Sequence, residues 1–432
     1  MENHSFQADA KQILRLVTHS IYSEKEIFIR ELLSNASDAL DKARFIGLKD
    51  GNFRSVEDPK IRMSFNAETK TITIEDDGVG MTKEEVMKNI GTIAQSGTKN
   101  FLEGLDAGDK LEALIGQFGV GFYSAFMVAD KVVIDTLSIH EDAEAVRWES
   151  DGTEGYSLGE SEKETRGTTI TIYLTSDNEE FAEEYRLKSV AQKYSGFVQW
   201  PIFLGEERLN DKAALWTRDP SEITAEEYTE FYKHVTGDWQ EPLTHVHIRT
   251  ESPVAFQAVL FVPKKHSMNL DNVNYNVDLK LYQKRVQVIE HANDLLPHYL
   301  RFVCGVVDSP DIQLNVSREI LQKDSKVEMI KKQITKKILG ALKDLASEKP
   351  EEYIAFWEDM GMLLKAGIPE DEKQKKKIFD LLRFKTTTSL GDWRSLAEVK
   401  ESISESEGQD TIWYLPMSFS LISGRQYMLF LI

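Results

Sequence analysis

Apolar residues recur at helical spacing through Ile29, Leu32, Leu33, Ala36, Leu40 and Ala43, behind a Ser23/Glu26 pair with the separation of a capping box. The pattern predicts a helix over about residues 24–45. At about 100° per residue, Glu31, Asn35 and Asp38 fall in a stripe roughly 60° wide beside the apolar face. Taken alone, that stripe reads as the solvated side of an amphipathic helix. Period-two alternation over residues 61–65 and 71–75, around a turn at 67–70, predicts a hairpin that ends at Asp76. A second capping box, Thr82 and Glu85, predicts a helix over 83–89, and an apolar stretch at 122–128 follows a run of glycines. Far downstream, strands are predicted at 245–249 and 256–262 about a turn near Pro253, with helices over about 293–304, 318–347 and 351–364.

The chemistry lies where these elements end. In Asp76-Asp77-Gly78-Val79-Gly80-Met81 the glycines let the backbone turn and approach a ligand, which leaves Asp76 as a directional acceptor for an exocyclic amine. By itself the segment is an ordinary turn. Gly116, Gly119 and Gly121 precede a helix start, where backbone N–H groups and the helix dipole favour phosphate. No Gly-Lys-Ser/Thr ending follows, which excludes a P-loop, and no simple strand–turn–helix unit frames a dinucleotide fingerprint. Together the three segments supply a base, a metal ligand, an adenine acceptor and a phosphate cradle, the parts of an ATP-hydrolysing site.

The ordered set Glu-x-x-x-Asn-Ala-x-Asp, Asp-x-Gly-x-Gly and Gly-x-x-Gly-x-Gly, closed by Arg166-Gly167-Thr168-Thr169, resembles the ATP-binding fold shared by gyrase, heat-shock protein 90, histidine kinases and MutL. Within that group the chain is most similar to the heat-shock protein 90 chaperones of the bacterial HtpG type. The resemblance is carried by Phe28-Ile-Arg-Glu-Leu-Leu-Ser-Asn-Ala-Ser-Asp-Ala39, Gly91-Thr-Ile-Ala-Gln-Ser-Gly-Thr-Lys99, the run 116–130, Leu215-Trp-Thr-Arg218, Glu226-Glu-Tyr-Thr-Glu-Phe-Tyr-Lys233 and Leu314-Asn-Val-Ser-Arg-Glu-Ile-Leu-Gln322.

The resemblance implies an α+β protein: an α/β sandwich of the Bergerat type over 1–205, with a mobile lid at about 91–116, then a linker at 206–212 and an incomplete αβα middle domain over 213–415. It implies that Glu31 activates water and that Asn35 offers its amide oxygen to Mg²⁺. Asp76 would hold the adenine amine, with Thr168 in the water network beside it. Gly80, Met81, Ile90 and Phe122 would wall the base, Asp38 and Asn89 would be polar contacts, and the backbone of Gly119, Val120, Gly121 and Phe122 would cradle phosphate. Arg318, on its own a surface arginine after the plausible N-cap Ser317, would reach the γ-phosphate with support from Asn315 and Gln322. The implied activity is a slow Mg-dependent ATPase that drives a chaperone working on unfolded or partly folded clients, with possible cochaperones. A nucleotide-binding, client-holding module with little turnover is the alternative.

A chain of 432 residues, 41% of them hydrophobic, suffices for two or three packed domains. The net charge of −20 opposes nonspecific duplex DNA binding and so argues against a gyrase-like or MutL-like enzyme. Cys304, the one cysteine, sits among Phe302, Val303 and Val306 and reads as core. No secretory pattern opens the chain, so a cytoplasmic location is expected, and neither a zinc site nor a membrane span is read. Residues 401–410 read as a solvated loop. After Leu415 the resemblance fails: residues 416–432 stand where the family continues toward a dimerisation domain. The tail is expected to be non-native and, if exposed, prone to aggregation. The family is homodimeric, and this chain is expected to be monomeric or weakly dimeric, with ATPase activity that rises with concentration.

Overall fold

The computed structural model describes residues 22–49, 53–92, 98, 101, 119–153, 155–265, 275–315, 321, 324–386, 389, 391–404, 413–417 and 427–431. Two units emerge: Met1–Ala214 with Tyr282–Val288 and Gln313–Gln322, and Leu215–Leu281 with Ile289–Ile312 and Lys323–Ile432.

In the first unit, helix α1 (Ile27–Lys49) forms where the apolar spacing placed it, a few residues later at each end. It buries Ile29, Leu32, Leu33, Ala36, Leu40 and Ala43 and packs on the hairpin of β1 (Ile61–Asn66) and β2 (Thr71–Asp76). Helix α2 (Lys83–Asn89) carries the expected capping box: the Thr82 side chain accepts from the Glu85 N–H, and the Glu85 carboxylate accepts from the Thr82 N–H. Then come β3 (Ala129–Leu137), β4 (Val146–Ser150), β5 (Ser157–Glu160), β6 (Gly167–Leu174), α3 (Glu184–Ser195), β7 (Ile202–Leu204) and β8 (Glu207–Arg208). Glu26, read as part of a helix cap, binds α3 instead, accepting from the Tyr194 hydroxyl at 2.8 Å and pairing with Arg186 at 2.9 Å.

The eight strands form one mixed sheet in the order β5-β4-β3-β6-β2-β1-β7-β8, antiparallel except for β1 beside β7. Val132 and Ile134 of β3, Ile72 and Ile74 of β2, and Ile170 and Ile172 of β6 join the α1 side chains in one core. Residues 206–212, read as a linker, belong in part to this sheet. Leu204 pairs with Glu207 in a tight hairpin at Gly205, and the Asn210 amide locks the segment by accepting from Ile202 N–H and donating to the Val198 and Trp200 carbonyls. The side chain of one asparagine thus turns a polar sequence into fixed structure.

The second sheet runs β12-β11-β13-β10-β9, built from β9 (Pro242–Thr250), β10 (Phe256–Pro263), β11 (Leu279–Gln283), β12 (Val286–Ile289) and β13 (Cys304–Asp308). Helix α4 (Ala225–Thr236), with a Thr224/Glu227 capping box and left-handed Gly237 at its end, packs on β13 and β9. Helices α5 (Ser325–Glu348), α6 (Pro350–Glu370) and α7 (Lys375–Leu381) pack on one another.

Two helix readings need correction. Residues 293–304 hold only two short 3₁₀ turns, separated at Pro297, before β13 begins at Cys304. The long helix starts at Ser325, capped by Asp324, and not at 318; Leu321 instead forms a bridge with Leu314. Cys304 is buried as expected, and burial pushes its thiol well up.

A third sheet, β15-β14-β17-β16, joins β14 (Phe384–Thr386), β15 (Trp393–Arg394), β16 (Trp413–Met417) and β17 (Tyr427–Leu431). Helix α8 (Leu396–Ser404) covers the start of the segment read as a loop at 401–410. The apolar end expected as an exposed hazard is the inner strand β17, paired on both sides by β14 and β16. No described helix is long and apolar enough to cross a membrane.

Candidate functional site

Every wall of one cavity of about 470 Å³ comes from the first unit. Helix α1 contributes Glu31 and Asn35; Asp76 stands at the end of β2, with Gly80 and Met81 on the turn beyond it. Asn89 and Ile90 close α2, Gly119, Val120, Gly121 and Phe122 form the glycine loop, and Thr168 comes from β6.

Asp38 is the exception. It is buried but does not line the cavity. The lining position is Lys42, eleven residues after Glu31 and therefore about 20° around the helix, between Glu31 and Asn35, whereas Asp38 falls about 20° on the other side. The Asp38 charge instead acts on Lys42, whose ammonium donates to Thr98 Oγ1 at 2.9 Å. Burial lowers the Lys42 pKa, and Asp38 and Glu85 partly offset the shift. The helical stripe already contained Lys42; extending it one turn would have found it.

Strand register builds the part of the cavity around Asp76. Asp76 on β2 stands opposite Thr168 on β6, which stands opposite Thr136 on β3, so the three share one row across the sheet. Thr136 Oγ1 lies 3.1 Å from Thr168 Oγ1 and accepts from the Met81 N–H at 3.0 Å, tying the turn to the row. Thr136 carries no motif; only the register reveals it. Gly80, at φ +60°, lets the turn touch β3, because a Cβ there would stand 1.9 Å from the Leu137 carbonyl oxygen.

Asp76 is buried, and burial raises its carboxyl pKa to about 7 against the opposing Gly78 N–H, which donates at 2.8 Å, and the Lys163 charge. Its neighbour Asp77 is occupied elsewhere, held by both Arg62 terminal nitrogens at 2.9 and 3.1 Å and by the Lys60 N–H. Of the two adjacent carboxylates, Asp76 is the one that faces the cavity.

Glu31 is buried and paired with Arg30, which donates to its Oε1 from Nε at 3.0 Å and Nη2 at 2.8 Å. Its Oε2 lies against Gly121, where a Cβ would come within 2.5 Å. The apolar stretch after these glycines is a 3₁₀ helix (Gly121–Met127), so the loop offers backbone N–H groups with less dipole than an α-helix start would supply. Gly121→Ala is expected to weaken triphosphate binding roughly tenfold, by moving either Glu31 or the loop. Nucleotide titration of the folded variant checks it.

Magnesium fits the donors present. The Asn35 amide is a single neutral oxygen, and among the described residues no group of three or more His, Cys, Asp or Glu is placed to hold a metal. That suits an ion bound mostly by phosphate oxygens and water.

The sequence pattern of histidine kinase-, DNA gyrase B- and HSP90-like ATPases matches residues 22–171, and that of the Hsp90 protein family matches 204–420. The chaperone protein HtpG of Chromobacterium violaceum is 45% identical over 433 residues, covering 96% of this chain and 68% of that protein. Those of Nitrosomonas eutropha and Burkholderia ambifaria are each 46% identical, over 90% and 93% of this chain and 64% and 68% of theirs. The chain belongs to the HSP90 family. It spans about two thirds of the length of these HtpG relatives. The HSP90-like ATPase match contains the cavity residues on α1, β2, α2, the glycine loop and β6. The second HSP90 match contains Asn315, Arg318 and Gln322 and runs to 420, past the point where the resemblance was expected to fail. Asn315 is half-buried and does not line the cavity, while Arg318 and Gln322 lie outside the described residues, as does most of the segment read as a lid.

Proposed function

We propose that this chain binds ATP with Mg²⁺ in the cavity and hydrolyses it slowly, and that the resulting cycle serves a cytoplasmic chaperone acting on unfolded or partly folded proteins. The supporting observation is the convergence in one cavity of two buried carboxylates, Glu31 and Asp76, with the backbone of Gly80, Gly119 and Gly121. Asp76 accepts the adenine amine and Thr168 orients water beside it. The backbone of Gly119, Val120, Gly121 and Phe122 donates to phosphate, and Gly80, Met81, Asn89, Ile90 and Phe122 shape the walls. Asn35 holds the magnesium ion, which when bound offsets the phosphate charge. Glu31 takes a proton from the water that attacks the γ-phosphorus as the bond to the β-phosphate oxygen breaks. Arg318, supported by Asn315 and Gln322, supplies further positive charge to the γ-phosphate.

One observation favours the low-turnover alternative. With Arg30 donating twice to one Glu31 oxygen, that oxygen is engaged in the pair and not turned to a water, so nucleotide can be held with little hydrolysis until the pair loosens. Both readings require adenine selectivity, because a guanine presents a carbonyl oxygen to Asp76 where adenine presents a donor. Calorimetric titration is expected to show GTP binding at least about tenfold weaker than ATP. Equal affinities would remove both readings, and ATP binding without turnover would select the second.

A further inference from the structure

We infer that Tyr123 is a positioning residue that fixes the spacing between two segments lining the nucleotide cavity, the end of α2 and the glycine loop. Its side chain is buried and its hydroxyl donates to the Ile90 carbonyl at 2.5 Å. Ile90 is the C-cap of α2, and its own N–H bonds the Val86 carbonyl. The Tyr123 hydroxyl thus ties the end of α2 to the segment that follows the glycine loop.

Asn89 and Ile90, at the end of α2, and Gly121 and Phe122, immediately before Tyr123, all line the cavity. The Tyr123 backbone is itself fixed, since its N–H bonds the Val120 carbonyl at 3.1 Å and the next residue, Ser124, donates from Oγ to the Gly121 carbonyl at 2.6 Å. A shift of α2 is therefore passed through one hydroxyl to the glycine loop. Aromatic packing stiffens this link: Phe122 meets Tyr123 edge-on at 5.3 Å and Trp148 at 5.6 Å, and Trp148 stacks on Tyr156. The Tyr156 hydroxyl lies against Gly91, where a Cβ would come within 2.5 Å. Burial pushes the Tyr123 phenol up to about 12, so it stays a donor throughout the physiological range.

A spacer of this kind matters only to a ligand that touches both segments. The inference rests on the reading that adenine nucleotides occupy the cavity. Tyr123→Phe keeps the ring and removes the donor, and is expected to raise the Kd for ATP and ADP about five- to tenfold while changing adenosine binding less than twofold. Placing 4-aminophenylalanine at position 123 restores a donor and should return ATP affinity to within about twofold of the parent. Equal weakening of adenosine and ATP, unchanged ATP affinity in Tyr123→Phe, or failure of the amino analogue to rescue would each overturn the proposal. Failure of the underlying reading looks different: the parent chain would bind neither ATP nor adenosine, or Asp76→Asn would bind both as tightly as the parent.

Discussion

Asp76→Asn is expected to abolish measurable ATP binding while making the unliganded protein more stable at neutral pH. Both effects come from one carboxyl. The Asp76 oxygen that accepts from the Gly78 N–H lies in a buried site where the charged form is penalised, which raises the pKa to about 7. In an unfolded chain the same group titrates near 3.8. Between these values the folded state binds the extra proton, so stability falls as pH rises from about 4 to 7, and the loss is complete above 7. A neutral amide of the same shape removes that loss, and thermal or urea unfolding at pH 8 should show a gain on the order of 2 kcal/mol. For ligand binding the amide fails, because an Asn side chain turned to accept from Gly78 presents its NH₂ to the adenine amine, donor against donor. A variant that is less stable and still binds ATP would show that Asp76 is neither strained by burial nor the adenine acceptor.

The same carboxyl sets a pH dependence in the parent chain. The ionised form is the stronger acceptor for the amine, so affinity should fall as pH drops below about 7 and level off above it. Adenosine is the better probe, since it lacks phosphates that titrate in the same range. The charged groups that face Asp76 are Lys163 and Arg166 beside β6 and the neighbouring Asp77, itself held by Arg62 on β1.

How far such a site can be read from sequence depends on which residues are neighbours along the chain. Glu31 and Asn35 share a helix face, and Asp76 ends an alternating strand; local periodicity places all of them. Lys42 and Asp38 show the limit of that reading, since a few tens of degrees of helical rotation decide which of them meets the cavity. Thr136 and Tyr123 were invisible because their roles come from pairings 32 or 33 residues apart, fixed only when β3 lies beside β6 and the glycine loop folds back on α2. The same holds for the fold. Pro297 and the Asn210 side-chain bonds overrode helix and linker patterns that were locally reasonable. The family resemblance compensated where motifs are contiguous and could not compensate for contacts that depend on register.

Glu31→Gln is expected to lower the ATP turnover rate by about 10² to 10⁴ while leaving ATP affinity within a few-fold of the parent. Glutamine is the informative replacement because of Arg30. The two side chains are both buried, at 1% and 2% exposure, and joined at 2.8 Å, so truncation to alanine would strip a buried guanidinium of its carboxylate, a change that costs about 3–5 kcal/mol. Loss of activity could then reflect unfolding. The glutamine oxygen can still accept from Arg30, which preserves the geometry against Gly121, but its amide cannot take a proton from water. Single-turnover hydrolysis and ATP titration on the same preparation separate the two steps. A rate within twofold of the parent would remove Glu31 from the chemistry and move the search for a base elsewhere in the cavity. A rate that collapses together with affinity would instead mean that the Arg30–Glu31 pair shapes the phosphate cradle, with the carboxylate acting as structure before it acts as a base.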